Sequence, residues 1–588
     1  MLVGSISVLT ACGGGGGGED DDPCAKTCQK IDENKDGKCD NCKKTIKHTH
    51  KDEDPKDSKC DVCSKDMSEV GGDEEYPTVE WIDDDPIDIF FMMSKASDGQ
   101  QNPSGCERYL AGEDLTAKEN IDDEVAIRNS DAYLITNVNL TYDYYDDVPE
   151  YGWGKNIDII FSTVKAGGTN APDIYTTFTY DMVGASLKGS FANLKNTQLD
   201  IGNYFSFLDE DYDEKVDNRG YMYEYMESVT LSQKKMYLLA SDYFIDLIRS
   251  FYVVPVNIEL LVSVGESITG EQDGIPGFSI NDFYLDVEAK GWTYKKVMAY
   301  SEAVYYNSGV ANDGEDLDDR LGFVVYGGFV SSGIIYSTDI TVINKVWNAE
   351  KNDYDYSYPE SSPDLFNLFD AVEELMGATG VVCLNATNSP NYKEHGNTIA
   401  TAVRKRFCEN EILFGGVIML GAFEYEEYQK LKDSSGFGVV PVPLYMENPG
   451  EEDNYLTSIH NTSRPGAIAK NTKNFTACTA FLDYQSTPST HILNEYYDYN
   501  LQYNVVDGEE EGTVRMLQYI RKNVRSAFDK TFEDAIGVYN AKPEVRWSHI
   551  METNGFSYGD ELRKDYDSLR KEKEGYLTTL YNEYPKLP

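Results

Sequence analysis

Between Val79 and Leu194 the hydrophobic and polar positions change period several times. VEWIDDDPIDIFFMMS (Val79 to Ser94) carries apolar runs broken by acids and a proline, which predicts a strand pair opening the body. After a helical stretch, YLITNVNLTYDYY (Tyr133 to Tyr145) alternates and predicts another strand. The segment from Ile157 to Leu194 predicts a helix ending at Gly167 and Gly168, a buried strand in PDIY, and a second helix running into Gly189. Strands alternating with helices predict a parallel α/β layer. The ligand crevice of such a sheet lies beyond the carboxyl ends of its strands.

The chain begins with a short apolar run, Leu2 to Leu9, ending in Leu9-Thr10-Ala11-Cys12 and six glycines, Gly13 to Gly18. The run is far below the roughly 20 apolar residues that span a bilayer, and it suits a signal segment. Leu9 to Cys12 resembles the lipobox of bacterial lipoproteins. That resemblance implies a signal peptide over 1–11, a lipid-bearing Cys12, a glycine linker to residue 23, and a protein anchored on the cell membrane facing outside. No Lys or Arg precedes the apolar run, a departure from the usual signal. No later segment has the 18 apolar residues of a membrane span, so the lipid would be the membrane attachment.

Charge narrows the partners. The 588 residues hold 102 Asp plus Glu against 52 Lys plus Arg, a net charge of -50, which disfavours nucleic-acid binding because phosphates would be repelled. At this length two or three folding units are expected. The 44 tyrosines supply apolar faces with a hydroxyl handle, suited to gripping polar ligands as well as to packing.

Of the 11 cysteines, six lie between Cys24 and Cys63. They read Cys24-x3-Cys28, Cys39-x2-Cys42 and Cys60-x2-Cys63, with His48-x-His50 between the second and third pairs. Two four-ligand sets follow: Cys24, Cys28, Cys39 and Cys42; then His48, His50, Cys60 and Cys63. Such pairs form the tetrahedral N/S shell that zinc prefers, and a metal would supply folding energy that so polar a segment lacks. Outside the membrane the same six cysteines can instead form three disulfides, and a redox role is a third reading. Asp32, Asn34, Asp36, Gly37 and Asp40 also fall at positions of a calcium loop, but Lys43 stands where the bidentate Glu belongs, so calcium is the weaker reading. The module, residues 24–67, resembles short Cys/Asp repeats of bacterial surface proteins. A linker, 68–76, separates it from a body over 77–588.

Ala171-Pro172-Asp173-Ile174 with Gly189 and Leu194 is similar to the "PDI…G…L" signature of the extracellular solute-binding proteins of sugar-type ABC transporters, a family that the body resembles. MYLLASDYFIDL (Met236 to Leu247) and VPVNIELL (Val254 to Leu261) match its first crossing between lobes, and FGVVPVPLY (Phe437 to Tyr445) its second. Trp292-Thr293-Tyr294 matches a Trp-Thr helix start, Gly466 to Ser486 a following helix, and Met516 to Phe532 a tail motif. The resemblance implies a two-lobed periplasmic-binding-protein-like clamp of class II type, closing over a solute and presenting it to ABC permease subunits without a cofactor. It implies ligand contacts from Thr177, Thr179, Tyr180, Asp181 and Asp242, and from Tyr326, Gly415 and Met419 in the second lobe. The loop from Ser94 to Cys106 and the stretch His460 to Arg464 are expected to face the cleft. Trp292 is expected to pack, whereas Trp153, Trp347 and Trp547 are possible stacking platforms for a sugar ring.

Catalytic signatures are scarce: the sequence has six His, no HExxH, no GxSxG and no Walker loop. The expectation is a carbohydrate-binding subunit, not an enzyme. The alternatives are an adhesive surface lipoprotein working through the cysteine module, or a ligand sensor.

Overall fold

Two sheets organise the body, and the chain passes between them at their carboxyl edges. The structure is a computed structural model. It describes residues 86–93, 106–111, 120–144, 154–168, 170–195, 220–268, 277–309, 317–326, 344–357, 363–384, 392–432, 436–447, 449–450, 454–460, 463–501 and 509–526, with isolated positions between and beyond them. Backbone contacts divide the chain into two units, Met1–Thr78 and Val79–Pro588. The lipobox with Cys12 and the whole cysteine module lie outside the described residues, as do Trp153, Trp547 and the loop 94–105.

In the second unit the elements run β1 (Ile87–Met93), α1 (Asn120–Thr136), β2 (Val138–Tyr144), α2 (Lys155–Ala166), β3 (Ile174–Thr176), α3 (Thr179–Leu187), α4 (Tyr223–Ser228) and α5 (Ile245–Arg249). There follow β4 (Tyr252–Asn257), α6 (Ile258–Ile268), α7 (Ile280–Glu288), α8 (Tyr294–Val304), β5 (Leu321–Tyr326), β6 (Asn344–Asn348), β7 (Asp353–Ser357), α9 (Pro363–Met376) and β8 (Val381–Leu384). The chain continues through α10 (Tyr392–His395), α11 (Ile399–Cys408), β9 (Ile412–Phe414), β10 (Ile418–Met419), α12 (Glu426–Lys432), β11 (Phe437–Val440), β12 (Thr457–Ser458) and β13 (Gly466–Ile468). Next come α13 (Phe475–Leu501), α14 (Glu509–Lys522) and β14 (Val524–Arg525).

Local chemistry explains the boundaries. The expected strand from Tyr133 is corrected: Tyr133 to Thr136 are the last turn of α1, and β2 starts at Val138. Asn137 takes a left-handed φ of 52° and its N–H reaches Tyr133 O at 3.0 Å, so the short amide side chain ends the helix where alternation alone suggested a strand. Of the predicted opening pair, β1 is present, and 79–85 lie outside the described residues. α2 does stop at Gly167 (φ 61°), and the strand in PDIY is the fully buried β3. Thr293 caps α8 by accepting from Lys296 N, and Asn257 does the same for α6 through Leu260 N at 3.0 Å.

The first sheet has the order β2-β1-β3-β13, with β1 parallel to β2 and β3, and β13 antiparallel to β3. Leu239 exchanges both backbone hydrogen bonds with Gly466 (2.8 and 2.9 Å), adding a fifth position beyond β13. The second sheet repeats this plan as β8-β5-β9-β4-β11: β5 is parallel to β8 and β9, β4 is antiparallel to β9, and β11 is antiparallel to β4. Short β10 pairs with the first residues of β4.

Each sheet therefore accepts one antiparallel strand from a segment that has just left the other. The first link runs from Leu239 to β4 and the second from β11 to β13. Because Leu239 and β11 run with the parallel strands while β4 and β13 run against them, both links leave and enter at carboxyl ends. The architecture is two-lobed α/β of the expected class II plan. In the last part of the chain α13 packs on α1 of the first lobe and α14 on α7 and β11 of the second, a third connection.

Each lobe has its own aromatic and aliphatic core. In the second, Phe414 is surrounded by Trp292 (centroids 4.8 Å apart), Tyr300, Phe283 and Phe323. Trp292 is fully buried and donates its indole N–H to Pro441 O at 2.9 Å, so it packs the core as expected.

Candidate functional site

In a doubly wound sheet the crevice opens where the strand order reverses, between β1 and β3 in the first lobe and between β5 and β9 in the second. Since the lobes are joined carboxyl edge to carboxyl edge, both crevices open on the same gap. Thr177, Thr179, Tyr180 and Asp181 follow β3, Tyr326 ends β5, and Gly415 follows β9.

On the first lobe, β3 ends in Thr176 and the chain turns through Thr177 and Phe178 into α3. Asn156 of α2 donates to Thr177 Oγ1 at 2.8 Å and to Asp181 Oδ2 at 3.0 Å, and Gly154 N donates to Asp181 Oδ1 at 2.9 Å. The structure thus brings Thr177 and Asp181 together around one amide. Both are fully buried. Burial pushes the Asp181 carboxyl up to about 7, against the opposing pull of Asn156 and Gly154. Thr179 is bound to the second link: its N–H reaches Ser463 O at 2.8 Å, and its hydroxyl lies 2.6 Å from Ser463 Oγ and 3.0 Å from Tyr225 OH. Tyr180 is buried with its ring stacked on Phe178, centroids 5.9 Å apart.

Asp242 belongs to a separate cluster. Its carboxylate accepts from Thr490 Oγ1 at 2.7 Å and from Arg521 Nε at 2.8 Å, which ties the first link to α13 and α14.

On the second lobe, Tyr326 closes β5 and is largely buried; burial raises its hydroxyl pKa, while nearby Arg404 opposes the rise. Arg404 of α11 stacks over the Tyr425 ring at 3.9 Å and pairs with Glu427 at 3.1 Å. Gly415 and Gly416 follow β9. A Cβ on Gly415 would meet Phe407 and Pro255 at 2.9 Å, so that glycine allows close packing. Met419 is half-buried in β10.

A buried ionic network that sequence reasoning did not single out joins the two links. Arg249 holds Glu424 through two bonds (Nε to Oε1 2.7 Å, Nη2 to Oε2 2.8 Å) and Asp246 through a third at 2.6 Å. Asp246 also accepts from Arg464, whose guanidinium lies 5.2 Å from the Phe178 ring centre. Burial alone would raise the Asp246 pKa, but Arg464 and Arg249 hold it below the ordinary carboxylate value. Tyr496 completes the network by donating to Glu424 at 2.7 Å. The available signal was Arg464 inside the stretch expected to face the cleft. Its acidic partners are far away in sequence.

Among the described residues, no group of three or more His, Cys, Asp and Glu is placed to hold a metal ion, and no helix is long and apolar enough to cross a membrane. No family model and no curated protein matches the chain. Solved structures do resemble it. The galacto-N-biose/lacto-N-biose I-binding protein of the ABC transporter from Bifidobacterium longum, in complex with lacto-N-biose, is similar at 12% identity over 85% of this chain and 98% of that one, with a TM-score of 0.45. RafE from Streptococcus pneumoniae, in its apo form, is similar at 11% identity, covering 83% and 99%, with a TM-score of 0.44. UgpB from Mycobacterium tuberculosis, in complex with glycerophosphocholine, is similar at 12% identity, covering 84% and 98%, with a TM-score of 0.41.

Proposed function

We propose that this protein is the extracellular solute-binding subunit of an ABC importer, anchored to the membrane by a lipid on Cys12, which captures a carbohydrate between its lobes and delivers it to the permease. One observation carries the reading: two doubly wound sheets of the same strand order are joined carboxyl edge to carboxyl edge. A solute entering the gap touches both lobes, and contacts made with both select the closed state. Hydroxyl-rich solutes suit such walls, because tyrosine faces stack on sugar rings while carboxylates and amides take the hydroxyls. In this reading Thr177, Thr179, Tyr180 and Asp181 support or contact the solute from one side and Tyr326, Gly415 and Met419 from the other, with Asp242 bracing the first link. No catalytic step is part of it.

The test is a thermal-shift screen of the full chain against mono- and oligosaccharides, including lacto-N-biose and raffinose, with glycerophosphocholine, amino acids and peptides as controls. A ligand at 100 times its dissociation constant stabilises the protein by about 2.7 kcal/mol, a readable rise in melting temperature. A sugar hit supports the reading. Silence from a well-folded sample would shift weight to the adhesive role. Zinc in the cysteine module is a separate proposal, tested by metal content together with a count of free thiols.

A further inference from the structure

The β6–β7 hairpin is inserted in the second lobe between β5 and α9, yet it docks on the first. Its register pairs Lys345 with Tyr356 and Trp347 with Tyr354, so these four side chains share one face of the two-stranded ribbon. That face meets residues 227–235, which lead from α4 toward Leu239. Lys345 Nζ donates to Glu227 O at 2.7 Å and to Thr230 O at 2.9 Å, and sits 4.3 Å from the Tyr354 ring centre. Tyr356 OH donates to Leu231 O at 2.7 Å, and Tyr354 OH to Gln233 Oε1 at 3.0 Å. From the hairpin's edge, Asp353 accepts from Ser232 Oγ at 2.7 Å and from Gln233 N at 2.9 Å. Burial pushes the Lys345 ammonium down to about 8, as expected of a side chain enclosed by the contact.

The receiving segment is part of the first lobe. Asn193 Nδ2 donates to Lys234 O at 2.9 Å and its Oδ1 accepts from Met236 N at 2.9 Å, while Leu194 N reaches Met236 O at 2.7 Å. It also adjoins the candidate site, since Tyr225 of α4 lies at 3.0 Å from the Thr179 hydroxyl. The insertion follows Tyr326, the carboxyl end of β5, on the side where the gap opens.

We infer that this hairpin is an interlobe strap: carried by the second lobe and fastened to 227–235 of the first, it holds the gap closed, and its release permits opening. The inference rests on the two-lobed clamp reading. It implies that closure does not depend on ligand contacts alone, and that solute entry and exit are gated by the hairpin's bonds to Glu227, Thr230, Leu231 and Gln233.

The experiment compares the full chain with a Lys345→Met/Tyr354→Phe/Tyr356→Phe variant, without added ligand, by hydrogen exchange and small-angle X-ray scattering. The variant removes four hydrogen bonds to the first lobe, and its amides at 227–235 should exchange about tenfold faster or more, since a tenfold change corresponds to only one or two ordinary hydrogen bonds. The radius of gyration should rise. The Tyr356→Phe single variant removes one hydroxyl and little packing, so it serves if the triple variant does not fold; its shifts should have the same sign. Unchanged exchange with an unchanged radius overturns the strap while leaving sugar binding in the thermal-shift screen intact. Faster exchange at 227–235 with a fixed radius overturns the strap together with the hinged reading.

Discussion

Arg464 and Asp246 sit on the two different segments that link the lobes, and their side chains form an ion pair buried from solvent. The pair ties the first link to the second. Removing one partner of a buried pair typically costs about 3–5 kcal/mol because a charge is stranded. Here Asp246 would keep Arg249, so Arg464→Met is expected near the lower end, about 3 kcal/mol, measured by urea unfolding. The acid dependence should follow. Asp246 is held below its ordinary value, so its contribution is fully present above about pH 3.9 and is lost as pH falls through the lower folded value.

Asp181 carries the opposite sign. Its carboxyl rises from 3.8 to about 7 on folding, so between those values the folded chain keeps a proton that the unfolded chain has lost. Stability should therefore fall as pH rises from about 4 to 7, with a slope of at most about 1.4 kcal/mol per pH unit. Asp181→Asn should flatten this region of the profile. The substitution can be absorbed locally, because Asn156 Oδ1 is buried without a partner and a flipped Asn156 would present it to the new amide. A melting-temperature series at several pH values for both proteins checks the claim. An identical slope in the two would rule out Asp181 as its source.

Elements whose pattern and punctuation agree were legible in the sequence. β3 lies in an apolar run, and α2 ends at a glycine pair where the left-handed turn requires one. The end of α1 was not, because an asparagine in the left-handed conformation is invisible to a reading of apolar period. The positions at the carboxyl ends of β3, β5 and β9 were named in advance, but their burial was not. Thr177 and Asp181 are tied together by Asn156, and nothing in sequence spacing pairs a residue of α2 with the turn after β3. The Arg249 network was missed for the same reason, since Glu424 lies 175 residues away. Long-range ionic partners are set by topology, which local pattern does not encode.

Lys345 makes the hairpin's docking sensitive to alkaline pH. Its pKa falls from 10.5 to about 8 on burial, so over that interval the unfolded chain binds a proton that the folded chain lacks, and stability rises with pH. Glu227 and Asp353 favour the charged form, and Lys195 opposes it. Near pH 10 the trend reverses, because burial raises Tyr354 to about 12, as it raises other tyrosines such as Tyr225 and Tyr237, and folding then favours the protonated phenols. Urea unfolding between pH 8 and 10 should show rising stability in the natural chain and a flatter response in Lys345→Met. A rise that survives the substitution assigns the effect to another group.

Two adjacent glycines after β9 should respond differently to alanine. Gly415 has a negative φ, and its new Cβ would meet the rigid Phe407 and Pro255 rings at 2.9 Å, so an overpacking cost of about 1–3 kcal/mol without backbone strain is expected. Gly416 has a φ of 85°, and its Cβ would lie 2.2 Å from the Val324 carbonyl oxygen in the middle of β5. That contact is with backbone and cannot be relieved by a rotamer change. Left-handed strain of about 1–2 kcal/mol adds to an overpacking cost of about 1–3 kcal/mol. Gly416→Ala should therefore lose about 2–5 kcal/mol in urea unfolding, and should also weaken sugar binding, because moving Val324 moves Tyr326 at the strand end that faces the gap. Equal costs at the two positions would mean that the turn after β9 is freer than its contacts with β5 imply.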